Sequence, residues 1–299
     1  MSEITWGILV VAYLFCAGLG AGSFCLGAIA SRRKGQGWEA CSRMGFLLAP
    51  LAIAAGLLIL VFDLKYPIRF WRTLTVLNAI SPMSVGVWLL SAFFLVSALS
   101  ALLCLPPHGL RRIPLIGALS FRDQVKLKRR LGVIGLPLAL GVSVYTGVLL
   151  SASVLPLWRS VSLPLLFFVS ALSLGIEGGA ILGMASLRKT NPEAMTEPLQ
   201  FLKRSYRIIL PLYLFAAVTF ILAQAIFPDS RSEMVNFITG WSGLIWWIGV
   251  VGIGILLPLI LVMKKNRDQM HHAWFFSSCL LLGDFLLRLI LILAGQGAL

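Results

Sequence analysis

Eight continuous apolar stretches, joined by short polar connections, leave this chain one solvent in which it can fold. They run over 4–30, 46–64, 84–105, 131–153, 161–187, 206–227, 240–263 and 272–296. A helix needs about 20 apolar residues to cross the hydrocarbon of a bilayer. The runs are unbroken and do not alternate, so they do not have the pattern of barrel strands. Lipid admits only helices or closed barrels. Of the 299 residues, 59% are hydrophobic and 12% are charged, whereas a soluble domain carries roughly 25% charged residues. The first run has no basic residue before it and is too long for a cleaved leader, so it is expected to remain as a spanning helix. The expected fold is all-α and integral to the membrane, with eight transmembrane helices in a single membrane domain, 1–299, dividing after the fourth run.

The net charge of +14 would suggest a nucleic-acid partner in a soluble protein. Here the basic residues sit in the connections, where they act as a topology signal. Nineteen lie on one side, after the first, third, fifth and seventh runs. Five lie on the other: Lys65, Arg69, Arg72, Arg159 and Arg231. The positive-inside rule then places both termini outside, in the periplasm. The outward segment Lys65 to Met83 mixes aromatic and basic residues. It reads equally as an interfacial belt and as a docking surface for an extramembrane partner.

Redox metals are not expected. His108, His271 and His272 all lie in or beside the basic connections, whereas a membrane cytochrome of the b type needs axial histidines inside its spans. The five cysteines, Cys16, Cys25, Cys41, Cys104 and Cys279, have no CxxC spacing and read as small apolar residues. The glycines of GLGAG, Gly18 to Gly22, follow the small-residue pattern of close helix packing.

Ionisable residues inside a span are expensive and usually functional. Asp63 closes the second run, as an interfacial residue or as a proton-exchanging one. Glu177 lies in the fifth run among glycines, which suits close packing or proton handling. Asp284 and Arg288 in the eighth run stand four residues apart and so share a helix face. They can form a self-neutralising pair or part of a proton path. Tyr13 and Tyr145 lie at similar depth in the outer halves of their runs, as core tyrosines or as two walls of a shared pocket.

Taken in order along the chain, several stretches resemble the NrfD/PsrC family of membrane subunits of polysulfide reductase and related complexes. They are AYLFCAGLGAGSF, FDLKYPIRFWR followed by NAISPMSVGVW, YTGVLLSASVLPLW with LPLLFFVSAL, and the terminal RLILILAGQ. The resemblance implies two four-helix bundles, with a quinone bound by helices 1–4 (1–153) and a second bundle at 161–299. It implies a menaquinone or ubiquinone site near the periplasmic face, a periplasmic ferredoxin-type iron–sulfur subunit and a molybdopterin catalytic subunit. From the histidine and cysteine positions, no haem or iron–sulfur cluster is expected in this chain itself. Tyr145 matches a headgroup-contacting tyrosine by its local motif. Tyr13 stands where a relative has a histidine, and Leu9 where it has an asparagine.

On this reading Tyr13, Asp63, Asn78, Trp88 and Tyr145 surround the quinone, with Asp63 and Tyr145 in the proton chemistry. Glu177, Asp284 and Arg288 form a proton path. Lys65, Arg69, Arg72 and Arg159 dock the partner. The expected function is a quinone-binding anchor of a respiratory oxidoreductase in a bacterial or archaeal cytoplasmic membrane. The alternative is a secondary transporter without redox chemistry, for which Pro137, Gly141 and the glycines around Glu177 are the candidate helix breaks.

Overall fold

The computed structural model describes residues 7–63, 81–105, 121–153, 155–188, 190–226, 228–263 and 269–296. Lys65, Arg69, Arg72 and Asn78 lie outside the described residues. Asp63 is the last residue of its helix, and its side chain lies outside them as well.

All regular structure among the described residues is helical. The elements are α1 (Ile8–Ala30), α2 (Gln36–Asp63), α3 (Pro82–Leu102), α4 (Phe121–Ser151), α5 (Ser162–Leu187), α6 (Thr196–Ile226), α7 (Pro228–Thr239), α8 (Trp241–Met263) and α9 (Gln269–Gly295). Eight of them are long and apolar enough to cross a membrane, α7 being the exception.

Several helices outrun their apolar windows. α4 starts ten residues earlier than the fourth run, through Asp123, Lys126, Lys128, Arg129 and Arg130, and α6 begins at Thr196. An apolar window registers the part of a helix that meets hydrocarbon, and the backbone continues helically into the polar layer. Much of the basic signal therefore sits on helix ends, not on loops. α7 was not visible as an apolar run; it buries Met234 and Phe237 and exposes Val235.

α1 and α5 are the most enclosed spans. α5 packs against α1, α2, α4, α6 and α9, while α1 packs against α2, α4, α5 and α9. Apolar burial gives little drive when the alternative is lipid, so close backbone approach and polar contacts hold such helices. At the α1–α5 crossing a Cβ on Gly22 would stand 2.3 Å from the Ala171 carbonyl oxygen, and one on Gly175 would stand 2.3 Å from the Ser23 nitrogen. Gly20 faces α2 in the same manner, against Ala49 and Ile53. Phe24 of α1 then meets Phe46 of α2 and Phe93 of α3 edge to face, with centroids 5.1 and 5.4 Å apart.

The irregular stretch is not where the breaks were expected. α4 runs straight through Pro137 and Gly141, and α5 is continuous through Glu177. Within α8, residues Ile245–Leu256 wind instead as a π-helix. This widened turn faces α9, where Gly254 and Gly283 meet backbone to backbone; a Cβ on Gly283 would lie 2.3 Å from the Gly254 Cα.

The two ends of the molecule are clipped by side chains. On the basic side, the Arg33 guanidinium lies 4.4 Å from the Trp38 ring centroid and 4.3 Å from that of Phe201. Trp38 Nε1 donates to Glu197 at 3.3 Å. At the opposite end Trp158, buried in the α4–α5 connection, donates from Nε1 to the Leu291 carbonyl at 2.6 Å. Gln224 of α6 donates to the carbonyls of Pro156 and Leu157. The LPLW stretch is thereby fastened to α6 and α9, and Arg159 beside it is exposed.

Candidate functional site

Two polar regions stand out inside the spans. The first joins α1 and α4. Tyr13 is 3% exposed and Tyr145 8%, and the two phenols lie within electrostatic reach of each other. Each rests against a glycine of a neighbouring helix. Tyr13 Cδ2 would be 3.4 Å from a Cβ on Gly56 of α2. A Cβ on Gly86 of α3 would collide with the tip of Tyr145, 1.8 Å from its hydroxyl oxygen. The missing side chain at position 86 is thus what admits the phenol. Helix α3 starts at Pro82, which supplies no backbone donor and suits a first turn, and that start places Gly86 one turn in.

Trp88 lies two residues beyond Gly86 and is 43% exposed. Two residues on a helix turn through about 200°, so Trp88 faces away from Tyr145, toward the lipid side of α3. The structure therefore buries Tyr13 and Tyr145 in one region, adds Gly56 and Gly86 to their surroundings, and sets Trp88 apart from them on the lipid face of α3.

The second region lies between α5, α6 and α9. Asp284 and Arg288 pair as their spacing predicts, Nη1 to Oδ1 at 3.7 Å, and both are buried. Arg288 is held further by three contacts. Nη1 donates to the Asp284 carbonyl at 2.8 Å, Nε donates to the Leu14 carbonyl of α1 at 3.2 Å, and the guanidinium lies 5.5 Å from the Phe167 ring. A buried charge without such partners costs several kcal/mol. Tyr213 of α6 donates its hydroxyl to Asp284 Oδ1 at 2.7 Å, and the Ser170 hydroxyl of α5 faces the same group.

A matching layer lies toward the basic side. Ser277 of α9 donates to Glu177 Oε1. The Tyr206 hydroxyl of α6 faces the same carboxyl and donates to the Ser173 carbonyl at 3.3 Å. All these side chains are buried.

Glu177, Asp284 and Arg288 are legible in the sequence as costly residues; Tyr206, Tyr213, Ser170, Ser173 and Ser277 are not. Their signal was spacing: 170, 173 and 177 on α5, 206 and 213 on α6, and 277, 284 and 288 on α9 each trace one helix face. No His, Cys, Asp and Glu cluster suited to a metal occurs among the described residues.

The sequence profile of the family described as "Polysulphide reductase, NrfD" matches residues 1–299. The chain is 33% identical to a polysulfide reductase chain of Wolinella succinogenes, over 99% of its own length and 95% of that protein. It is 31% identical to protein NrfD of Escherichia coli, over 98% and 96% of the two proteins. A selenate reductase subunit of Mesobacillus selenatarsenatis is 27% identical, over 99% of this protein and 75% of that one. With eight apolar spans and matches running end to end, this chain belongs to the NrfD family of membrane subunits of oxidoreductase complexes.

Proposed function

We propose that this chain is the quinone-binding membrane anchor of a respiratory oxidoreductase, passing electrons between membrane menaquinol or ubiquinol and a periplasmic ferredoxin-type iron–sulfur subunit. A molybdopterin subunit would carry the terminal chemistry, and relatives named as a polysulfide reductase chain and a selenate reductase subunit support a separate reductase partner. The observation that carries this reading is the Tyr13–Tyr145 pair: two phenols from different helices, in an otherwise apolar wall, each seated against a glycine. Such pockets are apolar with a few placed polar groups.

A quinone, when bound, carries two electrons and two protons. The Tyr13 and Tyr145 hydroxyls would donate hydrogen bonds to its two oxygens and fix its orientation. Asp63, at the end of α2, would exchange protons with the outer water, and Asn78 would orient the headgroup. Trp88, on the lipid face of α3, would meet the isoprenoid tail outside the pocket. Lys65, Arg69, Arg72 and Arg159 would receive the iron–sulfur partner. The reading puts the basic side in the cytoplasm and both termini in the periplasm of a bacterial or archaeal inner membrane.

It also divides the spans into two four-helix bundles, 1–153 and 161–299. Contacts of α1 with α2 and α4, and of α3 with both of those, support the first. Contacts of α6 and α9 with α8 support the second, while α5 packs against both sets, on α1, α2 and α4 as well as on α6 and α9. Glu177, Asp284 and Arg288 would carry protons from the cytoplasmic side, making the complex energy-conserving. A transporter is not favoured, since the family match spans the whole chain.

The test is to purify the complex, extract and identify bound quinone, and follow quinol-dependent reduction of the partner's clusters. Tyr145→Phe and Asp63→Asn are each expected to lower kcat/KM at least about tenfold, on the scale of one lost proton-transfer group. Unchanged turnover in both variants would remove the site.

A further inference from the structure

We propose that a cavity between the start of α2 and the end of α5 binds one phospholipid with a primary-ammonium headgroup, Arg43 taking its phosphate and Glu39 its ammonium. The site lies at the basic end of the spans, away from Tyr13 and Tyr145, and it does not depend on the quinone reading.

α2 and α5 pass each other antiparallel and close, with Gly45 beside Gly179 and Cys41 beside Gly183. Where this crossing ends, a cavity of about 580 Å³ opens. Its α2 wall carries Gln36, Glu39 and Arg43, and its other wall carries Leu187, Thr190 and Asn191. Asn191 Nδ2 donates to Gln36 Oε1 at 2.9 Å, and Asn191 Oδ1 accepts from the Ala194 nitrogen at 3.3 Å. The two walls are thus tied at their water-side ends. The volume falls within the usual span of small-ligand pockets, about 300–1,000 Å³.

Two charges of opposite sign line this cavity without pairing. Glu39 and Arg43 stand four residues apart on α2, acid first, which is the favourable order for an ion pair on a helix. Both are exposed. Among the described residues they form no ion pair, Asp284–Arg288 being the one ion pair there.

The order of the charges selects the ligand. α2 enters the bilayer from its basic end, so Glu39 lies one turn, about 6 Å, nearer to water than Arg43. An aminoethyl phospholipid has the same order: the phosphate next to the glycerol, then an ester oxygen and two methylenes, then the ammonium. A guanidinium offers paired N–H donors to phosphate oxygens. The ammonium has three donors for a carboxylate. α5 ends beside Glu39, and the partial negative charge of a helix C-terminus favours a cation in the same place. A purely anionic headgroup would be repelled by Glu39, and a trimethylammonium group has no N–H to donate. The acyl chains have a path as well. Leu51 and Leu58 follow Arg43 on the lipid side of α2, 67% and 59% exposed.

The test uses the intact complex, stripped of lipid by detergent exchange. It is titrated with phosphatidylethanolamine, phosphatidylglycerol or phosphatidylcholine, and bound lipids are counted by native mass spectrometry. The first lipid bound should be phosphatidylethanolamine, preferred at least about fivefold over the other two, on the scale of one charge contact near a membrane surface. Arg43→Gln should weaken the first phosphatidylethanolamine and the first phosphatidylcholine alike. Glu39→Gln should bring those two lipids to within about twofold of each other, the charge contact being lost. Arg43→Lys and Glu39→Asp keep the charges and should keep the preference.

Equal affinity of the wild-type complex for the three lipids would overturn the proposal. So would tighter binding of phosphatidylglycerol, the mark of a plain anion site. An unchanged preference in both Glu39→Gln and Arg43→Gln would place the lipid elsewhere and overturn it too. Free phosphoethanolamine in excess should leave the lipid bound; displacement would assign the cavity to a soluble phosphate ester instead. The wild-type comparison needs no substitution, so a variant that folds poorly does not shield the proposal.

Discussion

The tip of Tyr145 occupies the space that a side chain on Gly86 would need: a Cβ there would lie 1.7 Å from Tyr145 Cζ and 1.8 Å from its hydroxyl oxygen. Because Tyr145 comes from α4 and Gly86 from α3, the position of the phenol is set by a residue more than fifty positions away in the chain.

Gly86→Ala is expected to displace the Tyr145 ring and lower quinol turnover at least about tenfold. Forcing extra volume into a packed site costs about 1–3 kcal/mol, so the melting temperature of the purified complex should fall modestly while activity falls steeply. Matching activity in Gly86→Ala and wild type would show that the phenol's position is immaterial.

Breaking the buried ion pair should cost more than removing it. Arg288→Leu leaves Asp284 uncompensated, and Asp284→Asn leaves Arg288 so; each should destabilise the fold by about 3–5 kcal/mol. The double variant should be less destabilised than the sum of the two. A double-mutant cycle on thermal or denaturant unfolding in detergent measures this, with additive losses as the contrary result.

Gly22→Leu and Gly175→Leu should each force α1 and α5 apart, because their backbones already meet at Ser23 and Ala171. The expected outcome is a sharp loss of folded protein in the membrane, read by fluorescence size-exclusion of a tagged chain. Gly252→Ala serves as the control. The atom nearest to an added Cβ there, the Trp247 carbonyl oxygen, lies 3.1 Å away, and its small shift should leave most of the protein folded.

Trp88 faces lipid on the far side of α3 while Tyr145 faces inward, so their variants should differ in kind. Trp88→Ala is expected to raise KM for quinol several-fold with kcat within about twofold, as for lost uniform binding. Tyr145→Phe should lower kcat. Steady-state kinetics with a short-tailed quinol and a long-tailed one separates the two, because the Trp88 effect should shrink when the tail is short.

The spans were legible because lipid permits few backbones. The pairing of Asp284 with Arg288 was legible from spacing alone, since both residues lie on one helix. Tyr206 and Tyr213 were not, because a tyrosine in an apolar run is ordinary until its neighbours across the bundle are known. Spacing shows which residues share a face; it does not show that the faces of α5, α6 and α9 meet. The contact of Gly86 with Tyr145 was not legible for the same reason, the two residues being on different helices. The π-helical stretch of α8 holds no proline within Ile245–Leu256, Pro258 lying two residues beyond its end. The polar beginnings of α4 and α6 fell below the threshold of an apolar window although their backbones are helical.

The central place of α5 has a consequence for how the protein is made. Helices enter the membrane in the order of synthesis, and α1 presents its Gly18–Gly22 face to a helix that is still unmade when α4 is complete. Until α5 emerges, that face meets lipid or a transient protein companion. Arg288, whose Nε caps the Leu14 carbonyl, comes about a hundred residues later still, roughly 5–20 s at ordinary elongation rates. The first four helices are therefore inserted well before they are finished as a unit. A chain stopped after α4 should be a substrate for membrane quality control, not a smaller working subunit.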